Sequence, residues 1–364
     1  MAPRPQRGRG GAVHAEPDGR AGRADPGARG PDRRREEQEE EVSVEAVRDA
    51  TERLVGQVGQ LVVGKARAIE EVFGALLVGG HVLLDDVPGV GKTTLARSIA
   101  RSLDLDFHRI QCTPDLVPSD ITGVSVFDQR SSTFEYRPGP VMANVVLVDE
   151  INRATPRAQS ALLEAMQEGQ VTVDEATHAL PDPFFVIATQ NPIELEGTFP
   201  LPEAQLDRFL LLLNLGYPSA DEEDRVLRVH GPRQLGTDTL HPLFDRARIA
   251  ELREAVRSVR IADAVRRYVV DVVRATRSAE GVELGASPRA ALALFRATQA
   301  LAAMRGRSYA LPDDVKAQAP AVLRHRLFLD ADAQMRGRTA DTVIGEILSR
   351  VPVPAEEAVA AARP

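Results

Sequence analysis

The chain has 364 residues, 43% of them hydrophobic, which is enough for two domains or for one large domain with a satellite. Its formal net charge of −8 argues against binding nucleic acid by bulk attraction to phosphate, although a local basic groove is compatible with it. A lone cysteine, Cys112, excludes an internal disulfide. No apolar run reaches the roughly 20 residues of a membrane-spanning helix, and Met1 to Gly30 lack the apolar middle of a secretory signal, so a cytoplasmic protein is expected.

Residues 1 to 41 are Pro, Gly, Arg and Glu with almost no large apolar side chain. Such a segment buries too little surface to offset the entropy of ordering, and it reads as a disordered tail. Its Arg33 to Arg35 block, followed by five glutamates, reads as a solvated charge run. From Val44 the apolar positions Val47, Leu54, Val58 and Leu61 recur at helical spacing. A second helix follows through Ile69, Val72, Phe73 and Leu77, and Gly79-Gly80 ends it. His81 to Leu84 is a short strand, and the loop 85 to 91 leads into a helix over Leu95 to Leu103.

Phe107 to Ile110, Val145 to Val148, Phe184 to Ala188 and Phe209 to Leu213 read as further buried strands. Strands alternating with helices predict an α/β domain, a parallel sheet between helical layers, over residues 42 to 217. Beyond Tyr217 the strand signal disappears. Helical patterns at Ile249 to Val259, Ala264 to Arg277 and Arg289 to Ala303 predict a smaller all-helical domain over 218 to 354, with a tail at 355 to 364. Cys112 has no His or Cys partner at ligand spacing and reads as a packing residue.

Five motifs carry chemistry. The run Pro88-Gly89-Val90-Gly91-Lys92-Thr93-Thr94, between a strand and a helix, has the form of a phosphate-binding loop. Its glycines let backbone N–H groups face phosphates at a helix N-terminus. Lys92 would reach the β- and γ-phosphates of ATP, and the Thr93 hydroxyl would ligate Mg²⁺. The strict pattern has glycine where this chain has Asp86.

The strand Val145 to Val148 ends in Asp149-Glu150. Asp149 would hold the magnesium through water, and Glu150 would polarise an attacking water. Asn191, after the strand that ends in Thr189-Gln190, is placed to bond both that water and the γ-phosphate. Arg208 is a candidate to enter a neighbouring molecule's site, its alternative being a salt bridge with Asp207 or Glu203. Arg289 opens a helix behind Ser287 and Pro288; an arginine there opposes the macrodipole, and a nearby anion would explain it.

Taken together, DVPGVGKTTLAR, DITGVSVFD, VDEINRATPRAQSALLEAMQEGQVTVD, FFVIATQNPIELEGTFPLPEAQLDRF and GASPRA resemble the MoxR family of AAA+ ATPases, over roughly Val42 to Pro354. The resemblance implies a P-loop AAA+ core followed by a helical lid. It implies Walker A roles for Lys92 and Thr93, Walker B roles for Asp149 and Glu150, and a sensor 1 role for Asn191. Arg208 would be the arginine finger and Arg289 sensor 2, with Val63 and Gly64 around the adenine. Ile121 to Pro140 resembles the family's helix-2 insertion and Glu168 to Leu180 its second hairpin, both facing the pore of a hexameric ring.

The family also implies chaperone-like remodelling of a protein client, often with a von Willebrand factor A domain partner. A metal-chelatase-like motor subunit and a nucleic-acid-associated AAA+ motor are the alternatives on the same core. The acidic balance and the lack of a recognisable DNA-binding module weigh against the latter.

Overall fold

The computed structural model describes residues 43–174, 176–191, 197–231 and 236–355, which belong to one compact unit. The expected N-terminal tail with its charge run, and the C-terminal tail beyond residue 355, lie outside the described residues.

Two amphipathic helices open the fold, α1 (Val44–Val58) and α2 (Ala66–Leu77), and their buried residues match the predicted apolar positions. Then come β1 (Val82–Asp85), α3 (Lys92–Ser102), β2 (Phe107–Gln111) and a short α4 (Pro118–Thr122). An antiparallel hairpin follows, β3 (Gly123–Asp128) with β4 (Thr133–Pro138). After β5 (Val145–Asp149) and α5 (Pro156–Glu168) a second hairpin is formed by β6 (Gln170–Val173) and β7 (Ala176–Ala179). The two hairpins fall where the helix-2 insertion and the second hairpin are expected. β8 (Phe185–Gln190), α6 (Glu203–Leu206) and β9 (Leu211–Leu213) complete this part.

The five long-range strands form one parallel sheet in the order β2-β5-β8-β1-β9. Side chains alternate across such a sheet, and the central strands β1, β5 and β8 are covered on both faces, so their runs are apolar up to the polar residues that end them. Val145 and Leu147 of β5, Phe185 and Ile187 of β8, and Val82 and Leu84 of β1 join one core with α1, α2 and later helices. Val146, Val148, Val186, Ala188 and Leu83 join a second core with α5. This is the predicted α/β architecture.

The remaining chain is helical: α7 (Ala220–His230), α8 (Arg246–Arg257), α9 (Asp263–Ala275), α10 (Pro288–Met304), α11 (Pro312–Leu323), α12 (Ala331–Met335) and α13 (Ala340–Arg350). Among the described residues it departs from the all-helical expectation in a short two-stranded ribbon and an isolated bridge between Arg260 and Tyr309. β10 (Val282–Leu284) pairs antiparallel with β11 (Phe328–Leu329). Strands of two and three residues are too short to leave a period-two pattern in a sequence.

His81, just before β1, pins three elements together. Its Nδ1 accepts from the Val186 N–H and its Nε2 donates to the Met166 carbonyl, each at 3.1 Å. Burial pushes its pKa from 6.5 down to about 4, only partly opposed by the Met166 hydrogen bond. The folded protein therefore keeps His81 neutral while the unfolded chain takes up a proton below pH 6.5, so this contribution is complete above that pH and is lost as pH falls towards 4. The stability advantage of the native protein over His81→Gln should shrink between pH 7 and pH 4.5 in urea titrations. An advantage independent of pH would contradict the assignment.

Candidate functional site

β1 feeds the loop 86 to 91, where Gly89 and Gly91 take φ of 85° and 94°, values that carry no Cβ penalty in glycine. Gly91 is the N-cap of α3, so the unpaired N–H groups of that helix's first turn open into the loop. Pro88, Gly89, Gly91, Lys92, Thr93 and Thr94 line a cleft, while the Val90 side chain packs against the core. The ends of the neighbouring strands share this cleft: Arg109 and Gln111 from β2, Asp149 at the end of β5 with Glu150 after it, Thr189 and Asn191 around the end of β8. The structure therefore brings Lys92, Thr93, Asp149, Glu150 and Asn191 together, as the sequence predicts.

Lys92 Nζ donates to the Asp86 carbonyl at 2.6 Å. Burial lowers the pKa of this ammonium, and the carboxylates of Asp86, Asp149, Asp85 and Glu150 oppose that shift. The departure from glycine at Asp86 has a structural reason. Its buried carboxylate accepts from the Leu215 and Gly216 N–H groups, the latter at 3.1 Å, and so ties the loop after β9 to the start of the phosphate loop.

Asp149 is 6% exposed, and a carboxylate so placed needs a cation or donors around it. Arg109 Nε donates to its Oδ2 at 2.6 Å and the Thr189 hydroxyl to its Oδ1 at 3.1 Å. Thr189 Oγ1 also accepts the Glu150 N–H at 2.9 Å, while Glu150 takes a left-handed φ of 57°. The Glu150 carboxylate accepts from Gln111 Nε2 and from Arg153, each at 3.1 Å. Asn191 is buried beside them, its carbonyl bonded by the Asn152 amide.

Among the described residues no group of three or more His, Cys, Asp or Glu side chains could hold a metal unaided. A magnesium ion, which commonly takes one or two protein oxygens with phosphates and water, fits the Thr93 hydroxyl and the buried Asp149 carboxylate. Cys112, next to this cluster, is buried, and its thiol is pushed up to about 12 by burial and then by Asp149 and Glu150. It is a packing residue.

Arg109, Gln111, Arg153, Thr189 and the tether role of Asp86 are not predicted by the motifs. Arg109 and Gln111 lie two residues apart, hence on one face of a strand whose end pairs with Asp149. That spacing is the signal that locates them, once β2 is known to lie beside β5.

Gly64 takes φ of 76° in a second cavity with Lys65, Glu71, Asn214, Leu215 and Arg324. A Cβ there would collide with the Glu222 carboxylate, at 1.9 Å. Val63 is buried and does not line that cavity. Arg208 and Arg289 lie elsewhere. They line a third cavity with Asp207, Arg296 and Arg326, to which no residue of the phosphate loop contributes. Asp207 pairs with Arg326 at 2.6 Å and not with Arg208, whose buried Nε makes no hydrogen bond among the described residues. The structure thus brings the two arginines together, away from their own chain's Lys92.

Comparisons with known proteins bear on the family and fold that carry this cleft. Residues 81–211 match the family described as the ATPase family associated with various cellular activities (AAA), and residues 274–347 match the AAA lid domain. The chain is 43% identical to the chaperone MoxR1 of Mycobacterium tuberculosis, over 85% of this chain and 83% of that one. It is 50% identical to the uncharacterized protein YeaC of Bacillus subtilis, over 83% and 94% of the two chains. A crystal structure of a candidate ATPase from Cytophaga hutchinsonii superposes with a TM-score of 0.80 at 39% identity, covering 86% of this chain and 97% of that one.

Replacing Asp86 with Ala leaves two N–H groups without their acceptor, which should cost about 1–3 kcal/mol of folding stability. Denaturant unfolding measures this directly, and a variant as stable as the native protein would refute the tether.

Proposed function

We propose, from the premise that this chain belongs to the MoxR family of AAA+ ATPases, that it hydrolyses ATP in a ring and uses the energy to remodel or activate a protein client. The observation that supports this most is the division of charged groups. One cleft carries Lys92, the acid pair and Asn191, while the arginines suited to stabilise a transferred phosphoryl group open on another cavity. Such a division supports a site that is completed where two subunits meet.

In this reading the triphosphate lies over the first turn of α3, its charge met by backbone N–H groups and by Lys92 released from the Asp86 carbonyl. Thr93 and Asp149 would hold a magnesium ion, which would supply positive charge against the triphosphate. Glu150, oriented by Gln111, Arg153 and the Thr189 contact to its N–H, polarises the attacking water, and Asn191 positions that water against the γ-phosphate. Arg208 and Arg289 of the adjacent subunit stabilise the charge on the phosphoryl group; such an arginine is worth about 10³-fold or more in rate. Adenine lies at Gly64.

The boundary between core and lid is taken near residue 217; the matched segments, 81–211 and 274–347, lie on either side of it. The β3–β4 hairpin supports the client reading. Phe127 and Phe134 are exposed on it and touch edge to face, with centroids 5.3 Å apart, a solvent-facing aromatic pair of the kind that grips an unfolded segment. A six-membered ring, a von Willebrand factor A domain partner and a cytoplasmic location complete the proposal on the strength of the family.

Lys92→Ala should weaken ATP binding, and Glu150→Gln should preserve binding while turnover stops; full turnover in Glu150→Gln would remove its assigned role. Arg208→Ala should silence hydrolysis at unchanged ATP affinity. Coexpression with Lys92→Ala should restore part of the activity, because each subunit supplies what the other lacks. No rescue would count against the shared site.

A further inference from the structure

Asp207, the residue before Arg208, is a junction between the sheet core and the later helices. Its carboxylate accepts from Arg326 Nε at 2.6 Å and from the Ser287 hydroxyl at 2.8 Å. Ser287 is the N-cap of α10, on whose first turn Arg289 sits. Arg326 follows α11 and is only 4% exposed. Its remaining donors go to backbone carbonyls: Asp207 at 3.1 Å, Leu210 at 3.2 Å, Phe209, and Val322 in the last turn of α11. The neighbouring His325 adds a bond from Nε2 to the Phe209 carbonyl at 3.1 Å. A single buried guanidinium therefore binds main-chain oxygens on both sides of Arg208.

We propose that Arg326 is a positioning residue for the catalytic arginines, fixing Arg208 through the main chain from Asp207 to Leu210 and Arg289 through the Asp207–Ser287 bond. The two guanidinium groups are thereby presented to the neighbouring subunit's phosphates as one rigid pair. This rests on the shared-site reading above.

Stability alone is a poor account of the arrangement. A buried ion pair can often be replaced by well-packed apolar residues at no loss, because desolvation offsets the Coulomb gain. Arginine contributes a planar fork with five donors in fixed directions; four are directed at Asp207 to Leu210 and the fifth at the end of α11. Lysine is a point charge and cannot span the same acceptors. The fork is what holds a main-chain segment in one orientation, and a displacement of about 1 Å at a catalytic group can cost on the order of 10²-fold in rate.

The test compares Arg326→Lys and the milder Asp207→Asn with Arg208→Ala, each purified alone and coexpressed with Lys92→Ala. Affinity is read with a fluorescent ATP analogue and turnover by phosphate release. Alone, Arg326→Lys should keep the native ATP affinity while kcat falls by about 10²-fold, and Asp207→Asn should fall less. Coexpressed with Lys92→Ala, both should regain activity, since their own phosphate loops are intact and the partner supplies a well-placed Arg208. A misfolded chain would regain nothing.

Full turnover in both variants alone overturns the proposal. Loss of ATP affinity together with kcat also overturns it, as does failure of rescue in both variants while Arg208→Ala is rescued. If Arg208→Ala itself is not rescued, the shared site falls first and this assignment with it, a failure distinguishable from the others.

Discussion

The register of the parallel sheet places its chemistry. β1 pairs with β8 so that Asp85 lies level with Gln190, and β5 pairs with β8 one residue short of Asp149 and Thr189. β2 pairs with β5 so that Gln111 lies level with Asp149. Parallel strands all end on one edge, so the polar residues that terminate these apolar runs converge without a designed loop for each. The phosphate loop leaves β1 on that same edge, and a helix N-terminus is thereby set against two carboxylates.

Within the cleft the charged groups hold one another in place. Asp149 is bonded by Arg109 and Thr189, Glu150 by Gln111 and Arg153, and Lys92 by the Asp86 carbonyl. Each partner is a side chain or carbonyl on a neighbouring strand or turn. The orientation of the acids is therefore inherited from the sheet, whose central strands β5 and β8 are buried along nearly their whole length. Asp86 extends this frame outward, because its carboxylate carries the loop that follows β9 and so links the phosphate loop to the cavity containing Gly64.

The arginine pair is organised by a different part of the chain. Arg208 belongs to the segment leading into β9, Arg289 to α10, and their common cavity closes around Asp207 and Arg326. The turn at 324 to 326 touches both regions: Arg324 bonds Asn214, whose amide bonds the Asp85 carbonyl, while His325 and Arg326 bond the segment around Arg208. The later helices are thus fastened to the core at both of its functional edges.

The sequence by itself determined the five strands of the parallel sheet, most of the helices and the motif residues of the cleft, Lys92, Thr93, Asp149, Glu150 and Asn191, while Arg109, Gln111 and Thr189 were not legible as part of it. Those signals are local: an apolar run between a glycine loop and a helix, or a run that ends in two acids, has few other readings. The β10–β11 ribbon escaped because its strands are too short for a pattern. What only the tertiary structure decided is which distant residues become neighbours. Asp86 looked like a departure from a motif until Leu215 and Gly216 came within its reach, and Arg326 carried no signal in a helical stretch. Arg208 and Arg289 were legible one at a time, while their shared cavity, far from their own phosphate loop, depends on how α10 and α11 pack on the sheet. Hydrogen-bond partners more than 100 residues apart are set by packing, which no window of sequence contains.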